Sequence, residues 1–84
     1  MEYKVLIKLI VPEIGEEYEL FIPVNRTIKF VSNLLNKFVT NITNGAYPEK
    51  EVVHLTNRRT GVLYDINSYV RTTDIRNGTE LVLY

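Results

Sequence analysis

Apolar and polar positions recur along this chain with two different periods, and the change of period marks where each element begins. Between Thr27 and about Ile42 the step is three or four, so Ile28, Val31, Leu35, Phe38 and Ile42 share one face of a helix. Lys29, Ser32, Asn33, Asn36 and Lys37 fall mostly opposite, where water solvates them. Thr27 is suited to the N-cap, because its hydroxyl can accept from a first-turn amide that otherwise lacks a partner. Asn44-Gly45 supplies the stop, since both residues tolerate the left-handed conformation that ends helices.

Elsewhere the period is two. Residues 3–11 place Val5, Ile7, Leu9 and Val11 on one face, and Lys4, Leu6, Lys8 and Ile10 on the other. Apolar residues on both faces predict an interior strand. After a turn at Pro12 to Glu16, residues 17–24 point Tyr18, Leu20 and Ile22 inward. Pro23 cannot donate to a ladder, so this second strand belongs at the sheet edge, and the two form an antiparallel hairpin. Residues 51–56 predict a short strand with Val53 and Leu55 inward and Val52 and His54 outward. A turn over 57–61 leads to a brief return strand, Val62 to Tyr64, with Leu63 inward. Asp65 to Asn77 reads as an irregular crossover anchored by Val70 and Ile75, with room for one turn of 3₁₀ helix. Asn77-Gly78 turns the chain, and residues 79–84 close it as a second strand apolar on both faces.

Two interior strands at opposite ends of the sequence predict neighbours at the centre of the sheet, running parallel. Each is flanked by its hairpin partner, which gives the order 2-1-5-3-4 with the helix crossing one face in the right-handed sense. That arrangement is an α+β, five-stranded β-grasp, or ubiquitin-like, fold occupying residues 1–84 as a single domain. Eighty-four residues suffice for one such core.

Composition narrows the function. The absence of cysteine excludes a disulfide scaffold, a thiolate metal centre and a cysteine nucleophile. Ten basic residues balance ten acidic ones, so no global field draws in nucleic acid or an anionic membrane. No apolar run approaches the length of a membrane span, and Met1 to Val5 does not open a signal peptide. The expectation is a cytoplasmic protein that binds no nucleic acid and does not insert in a membrane.

Candidate chemistry is sparse. His54 is the lone histidine, with no nucleophile or orienting carboxylate assigned to it by any motif, and reads as solvent-facing. Glu13, Glu16, Glu17 and Glu19 lack the spacing of a calcium loop and read as an acidic edge that discourages strand pairing. Arg58 and Arg59 read as solvated residues at a hairpin tip, and Gly61 and Gly78 stand singly, without a phosphate cradle. No catalytic residue, cofactor or metal ligand is expected. The informative feature is the sheet face away from the helix, where Leu6, Ile10, Val52, His54, Val82 and Tyr84 are expected to project, rimmed by Lys4, Lys8 and Glu80. An apolar patch with an aromatic and a charged rim suits protein binding, because desolvating it drives association while the rim orients it.

The stretch Tyr18 to Leu35, Tyr-Glu-Leu-Phe-Ile-Pro-Val-Asn-Arg-Thr-Ile-Lys-Phe-Val-Ser-Asn-Leu-Leu, resembles the second strand and helix start of YukD/EsaB-type proteins. Those are small ubiquitin-like proteins encoded with the type VII (WXG100) secretion systems of Gram-positive bacteria. Asp74-Ile75-Arg76-Asn77-Gly78-Thr79-Glu80-Leu81-Val82-Leu83 is similar to the family's closing pattern, and the similarity runs through nearly the whole chain. It implies a non-enzymatic accessory or regulatory component of such a system, binding a secretion partner as a monomer or weak dimer. A ubiquitin-like modifier or sulfur carrier is the disfavoured alternative. Both need a flexible C-terminal Gly-Gly, whereas this sequence closes on Tyr84 with no glycine in its last six residues. A further alternative is a detached cytosolic ubiquitin-like domain of a secretion membrane component.

Overall fold

The computed structural model describes residues 3–84. Strands β1 (Lys4–Val11) and β2 (Glu16–Pro23) precede the helix α1 (Ile28–Ile42); β3 (Leu55–Asn57), a 3₁₀ turn (Val70–Thr72) and β4 (Glu80–Leu83) follow it. The sheet order is β2-β1-β4-β3. β1 runs parallel to β4, with Lys8, Leu9 and Ile10 opposite Glu80, Leu81 and Val82; the other two pairings are antiparallel. The first and last strands are therefore central neighbours, as their two-faced apolar pattern predicts.

The fifth strand expected over Val62 to Tyr64 does not form, so the sheet has four strands and the order 2-1-5-3-4 is not realised. Contact with β3 there is a single bridge, Thr56 to Leu63. The Asn57 side chain holds the intervening turn tight, its Oδ1 accepting from the amides of Arg59 at 2.9 Å and Thr60 at 3.3 Å. The bridge also reverses Leu63. Thr56 faces outward opposite Val82, so Leu63 beside it does too, and it is 57% exposed. Tyr64 is buried in the place expected for Leu63. Its ring supplies apolar area while its hydroxyl donates to Asp74 Oδ1 at 2.6 Å and accepts from Asn57 Nδ2 at 3.1 Å.

The helix starts and stops where its cap residues dictate. Thr27 Oγ1 accepts from the Phe30 amide at 3.1 Å. At the other end Gly45 N–H donates to Thr40 O at 2.9 Å and Asn44 N–H to Asn41 O at 3.2 Å, with Asn44 at φ 53° and Gly45 at φ 84°. This is the paired closure that a left-handed residue after the last turn makes possible. The buried face is Ile28, Val31, Leu35 and Val39, while Phe38 lies at its margin, its ring edge-on to Tyr18 at 5.6 Å, and Ile42 is exposed. Ser32 and Asn36 are buried, contrary to their expected solvent-facing place. Asn36 exchanges two hydrogen bonds with the Lys50 backbone, at 2.7 and 3.2 Å, and so clamps the post-helix loop against the helix. That loop delivers Tyr47 into the core, completely buried, with the Lys50 ammonium 5.3 Å from its ring centre.

Pro23 sits where its missing N–H costs no ladder bond. Val24 N–H donates to Tyr3 O at 3.1 Å, so by alternation the Lys4–Pro23 position is a pair without hydrogen bonds and the Pro23 nitrogen faces the open edge.

Leu81 is fully buried on the central strand β4, opposite Leu9. Leu81→Ala is expected to lower the unfolding free energy by about 2–5 kcal/mol in urea denaturation, and a loss under about 1 kcal/mol would contradict a core centred on this pair.

Candidate protein-interaction face

Strand alternation divides the sheet into two surfaces. Ile7, Leu9, Val11, Ile22, Leu55, Leu81 and Leu83 are buried on the helix side. Their neighbours in sequence point the other way, and cross-strand register places those neighbours in rows.

One row pairs Phe21 of β2 with Leu6 of β1. The next carries Glu19, Lys8 and Glu80 side by side, and Arg58 Nη1 meets Glu80 Oε1 at 2.6 Å beyond them. The third runs Glu17, Ile10, Val82, Thr56 and Leu63, with Lys8 Nζ 3.6 Å from Glu17 Oε1. At the end of β4, Tyr84 faces His54 through two backbone hydrogen bonds of 2.6 and 3.0 Å, and the two rings lie 6.0 Å apart. Five of the six expected residues, Leu6, Ile10, His54, Val82 and Tyr84, thus occupy one face. The helix covers the opposite one.

Three details of the expectation change. Lys8 and Glu80 do not rim the patch; they cross its middle, because the register sets them opposite each other and opposite Glu19. The charged row separates Phe21 and Leu6 from Ile10, Val82 and Leu63. Val52 lies in a bend before β3, 68% exposed, because β3 begins only at Leu55 and the ladder reaches back no further than His54. Phe21 and Leu63 join the face instead. Phe21 was legible, since it alternates with Leu20 and Ile22; Leu63 was not, because its direction follows from a single bridge.

Below this face, Tyr64 ties the hairpin turn to the crossover through Asn57 and Asp74. Burial, reinforced by the hydrogen bond to the Asp74 carboxylate, pushes the Tyr64 hydroxyl up to about 12, against an opposing contribution from the Asn57 amide. Burial likewise raises Tyr47. The Lys50 ammonium is raised by its bond to Glu13. Neither the Tyr64 nor the Tyr47 side chain lies on the open face of the sheet; both are buried. Among the described residues no helix is long and apolar enough to cross a membrane.

No protein-family model matches the chain, and no curated protein matches it. Solved structures do. The ubiquitin-like domain of EccD5 from Mycobacterium xenopi superposes with a TM-score of 0.79 at 14% identity, covering 98% of this chain and 93% of that one. A chain of the MycP5-free ESX-5 inner membrane complex gives 0.78 at 16% identity, covering 96% of this chain and only 20% of that one. A chain of a toluene 4-monooxygenase HD complex gives 0.79 at 9% identity, with 96% of each chain covered. The chain has the ubiquitin-like β-grasp fold. Its neighbours include the EccD5 ubiquitin-like domain, a chain of an inner membrane complex and a chain from a monooxygenase complex, so the fold is shared across unlike settings.

A folded-state value of about 12 against an ordinary 10 means the native state holds the Tyr64 proton more tightly than the unfolded chain does. This contribution to stability is complete below pH 10 and declines as pH rises from 10 toward 12. Tyr64→Phe is expected to flatten that decline and to cost about 1–3 kcal/mol at neutral pH through the unpaired Asp74 and Asn57 groups, both measured by urea denaturation across pH. An unchanged slope above pH 10 would contradict the burial of this hydroxyl.

Proposed function

We propose that the chain is a non-enzymatic protein-interaction module that serves a type VII secretion system as an accessory component of the YukD/EsaB type. It docks a secretion partner on the open face of the sheet. The observation that carries this reading is the arrangement of that face: two apolar groups, Phe21 with Leu6 and Ile10 with Val82 and Leu63, divided by the row Glu19, Lys8, Glu80 and Arg58. Apolar area on both sides of the row supplies the drive for association, and the alternating charges fix the register of whatever docks. The likeness to the EccD5 domain supports the secretion setting.

A second reading has the same face serving as part of a larger membrane component, which the 20% coverage of the ESX-5 complex chain favours. Immunoblotting of the native cells separates the two. A band at the mass of these 84 residues in the soluble fraction supports the accessory protein, and a larger membrane-bound band supports the fused domain.

Leu6→Glu together with Val82→Glu places charge on both sides of the row. Retained circular dichroism with at least a ten-fold loss of captured secretion components is expected, corresponding to about 1.4 kcal/mol or more of binding free energy. Undiminished capture by the folded double variant would remove this face as the docking surface.

A further inference from the structure

Formal neutrality conceals a separation of charge along the sheet. β1 runs from Lys4 to Val11, and seven steps of about 3.3 Å put its ends roughly 23 Å apart. At its start, three backbone hydrogen bonds splice the helix entry to the crossover: Ile28 N–H to Ser68 O, Lys29 N–H to Ile66 O and Val70 N–H to Arg26 O, at 2.8 to 3.0 Å. A fourth, Arg71 N–H to Val24 O at 2.9 Å, ties the splice to the end of β2. They gather Arg26, Lys29 and Arg71 at one pole. The Arg26 guanidinium lies 5.2 Å from the Phe30 ring centre and that of Arg71 4.9 Å from Tyr69. Phe30, Ile66 and Tyr69 are all exposed there. The first turn of α1 has no acidic residue, although its dipole favours one, so these cations stand against the local preference. Two carboxylates flank Arg71 in sequence: Asp74 accepts from the Tyr64 hydroxyl at 2.6 Å, and Asp65 accepts from the Asn67 amide at 2.9 Å.

At the far end of β1 the balance reverses. The β1–β2 turn carries Glu13, and the start of β2 adds Glu16 and Glu17, the latter 3.6 Å from Lys8 Nζ. The post-helix loop, clipped to the turn by the Lys50–Glu13 ion pair, adds Glu49 and Glu51. Val52 is exposed beside them and Ile42 at the end of the helix. Lys50 is committed to Glu13, and Lys37 lines the shallow depression between Glu49 and Glu51. The poles are separated by nearly three Debye lengths at physiological ionic strength, about 8 Å each, so neither quenches the other through solvent.

We propose that the chain associates with itself head to tail, the Arg26–Lys29–Arg71 pole of one copy seating on the Glu16–Glu49–Glu51 pole of the next. Each pole pairs exposed apolar side chains with an excess of charge of one sign, and the matching surface of opposite excess is carried by the same molecule. An interface of like poles is repelled, so a symmetric dimer through either one is disfavoured and the contact is heterologous, able to propagate. The open face of the sheet lies between the poles and stays available to a different partner.

The test is light scattering on the wild-type chain and on two neutralised variants with unchanged circular dichroism, Arg26→Gln/Lys29→Gln/Arg71→Gln and Glu16→Gln/Glu49→Gln/Glu51→Gln. The wild type is expected to gain mass with concentration at an ionic strength of about 0.01 M, where screening extends about 30 Å, and to return to monomer at about 1 M, where it extends about 3 Å. Each variant alone is expected to stay monomeric, and an equimolar mixture to stop at a pair, since only one live pole of each sign remains. A wild type that is monomeric throughout the low-salt series overturns the proposal, and this readout needs no variant to fold. So does a mixture that forms no pair, or a single variant that still self-associates as the wild type does. Low-salt wild type that stays monomeric yet sediments with phosphatidylglycerol vesicles would assign the basic pole to a lipid surface instead.

Discussion

The parallel pairing of β1 with β4 is the constraint on which the rest of the molecule depends. Lys8 N–H donates to Thr79 O at 3.0 Å and Gly78 N–H to Leu6 O at 2.8 Å, so the closing turn is stitched onto the opening strand. Parallel strands cannot be joined by a tight turn, and everything between β1 and β4 is one long connection that must cross the sheet. The helix is the part of that connection able to bury a continuous apolar stripe, and Ile28, Val31, Leu35 and Val39 fill the space above Leu9, Leu81 and Leu83. Once the pair is in register, alternation alone decides which side chains are core and which form the open face.

The same register accounts for the character of that face. The register sets Lys8 opposite both Glu19 and Glu80, and the ion pairs actually made are Lys8 with Glu17 diagonally and Glu80 with Arg58, so a row of alternating charge crosses the sheet. Its members are partly or fully exposed, which limits what the row adds to stability, and its weight falls on orientation. The edges are handled differently. β2 presents Pro23 and glutamates along its open side, features that discourage addition of another strand. Next to β3, the Val62–Tyr64 segment turns its backbone to the edge at one bridge and spends Tyr64 on the core instead.

Much of this was legible in the residues. The period switch at Thr27, the Thr27 and Asn44-Gly45 caps and the two-faced apolar pattern of the terminal strands carry the topology, because each is a local signal that the tertiary structure keeps. What escaped depends on long-range placement. Asn36 looks solvated until the Lys50 backbone arrives to take both ends of its amide, and Tyr47 looks like loop until that clamp swings it inward. Leu63 and Tyr64 trade places because one bridge sets their parity. The candidate face was readable as strand positions, but the row of charge across its centre was not, since it needs the register of three strands at once. Net charge misled most: equal totals of acid and base say nothing about the poles into which the fold sorts them.

The central pair is most directly tested by nuclear Overhauser contacts between β1 and β4 in an isotope-labelled sample. Cross-strand contacts linking the Leu9 and Leu81 backbones, together with slow exchange of the Lys8 amide, are the result this account requires. Their absence, with the Lys8 amide exchanging as fast as those of the Pro12–Gly15 turn, would contradict it and remove the basis for both the core and the open face.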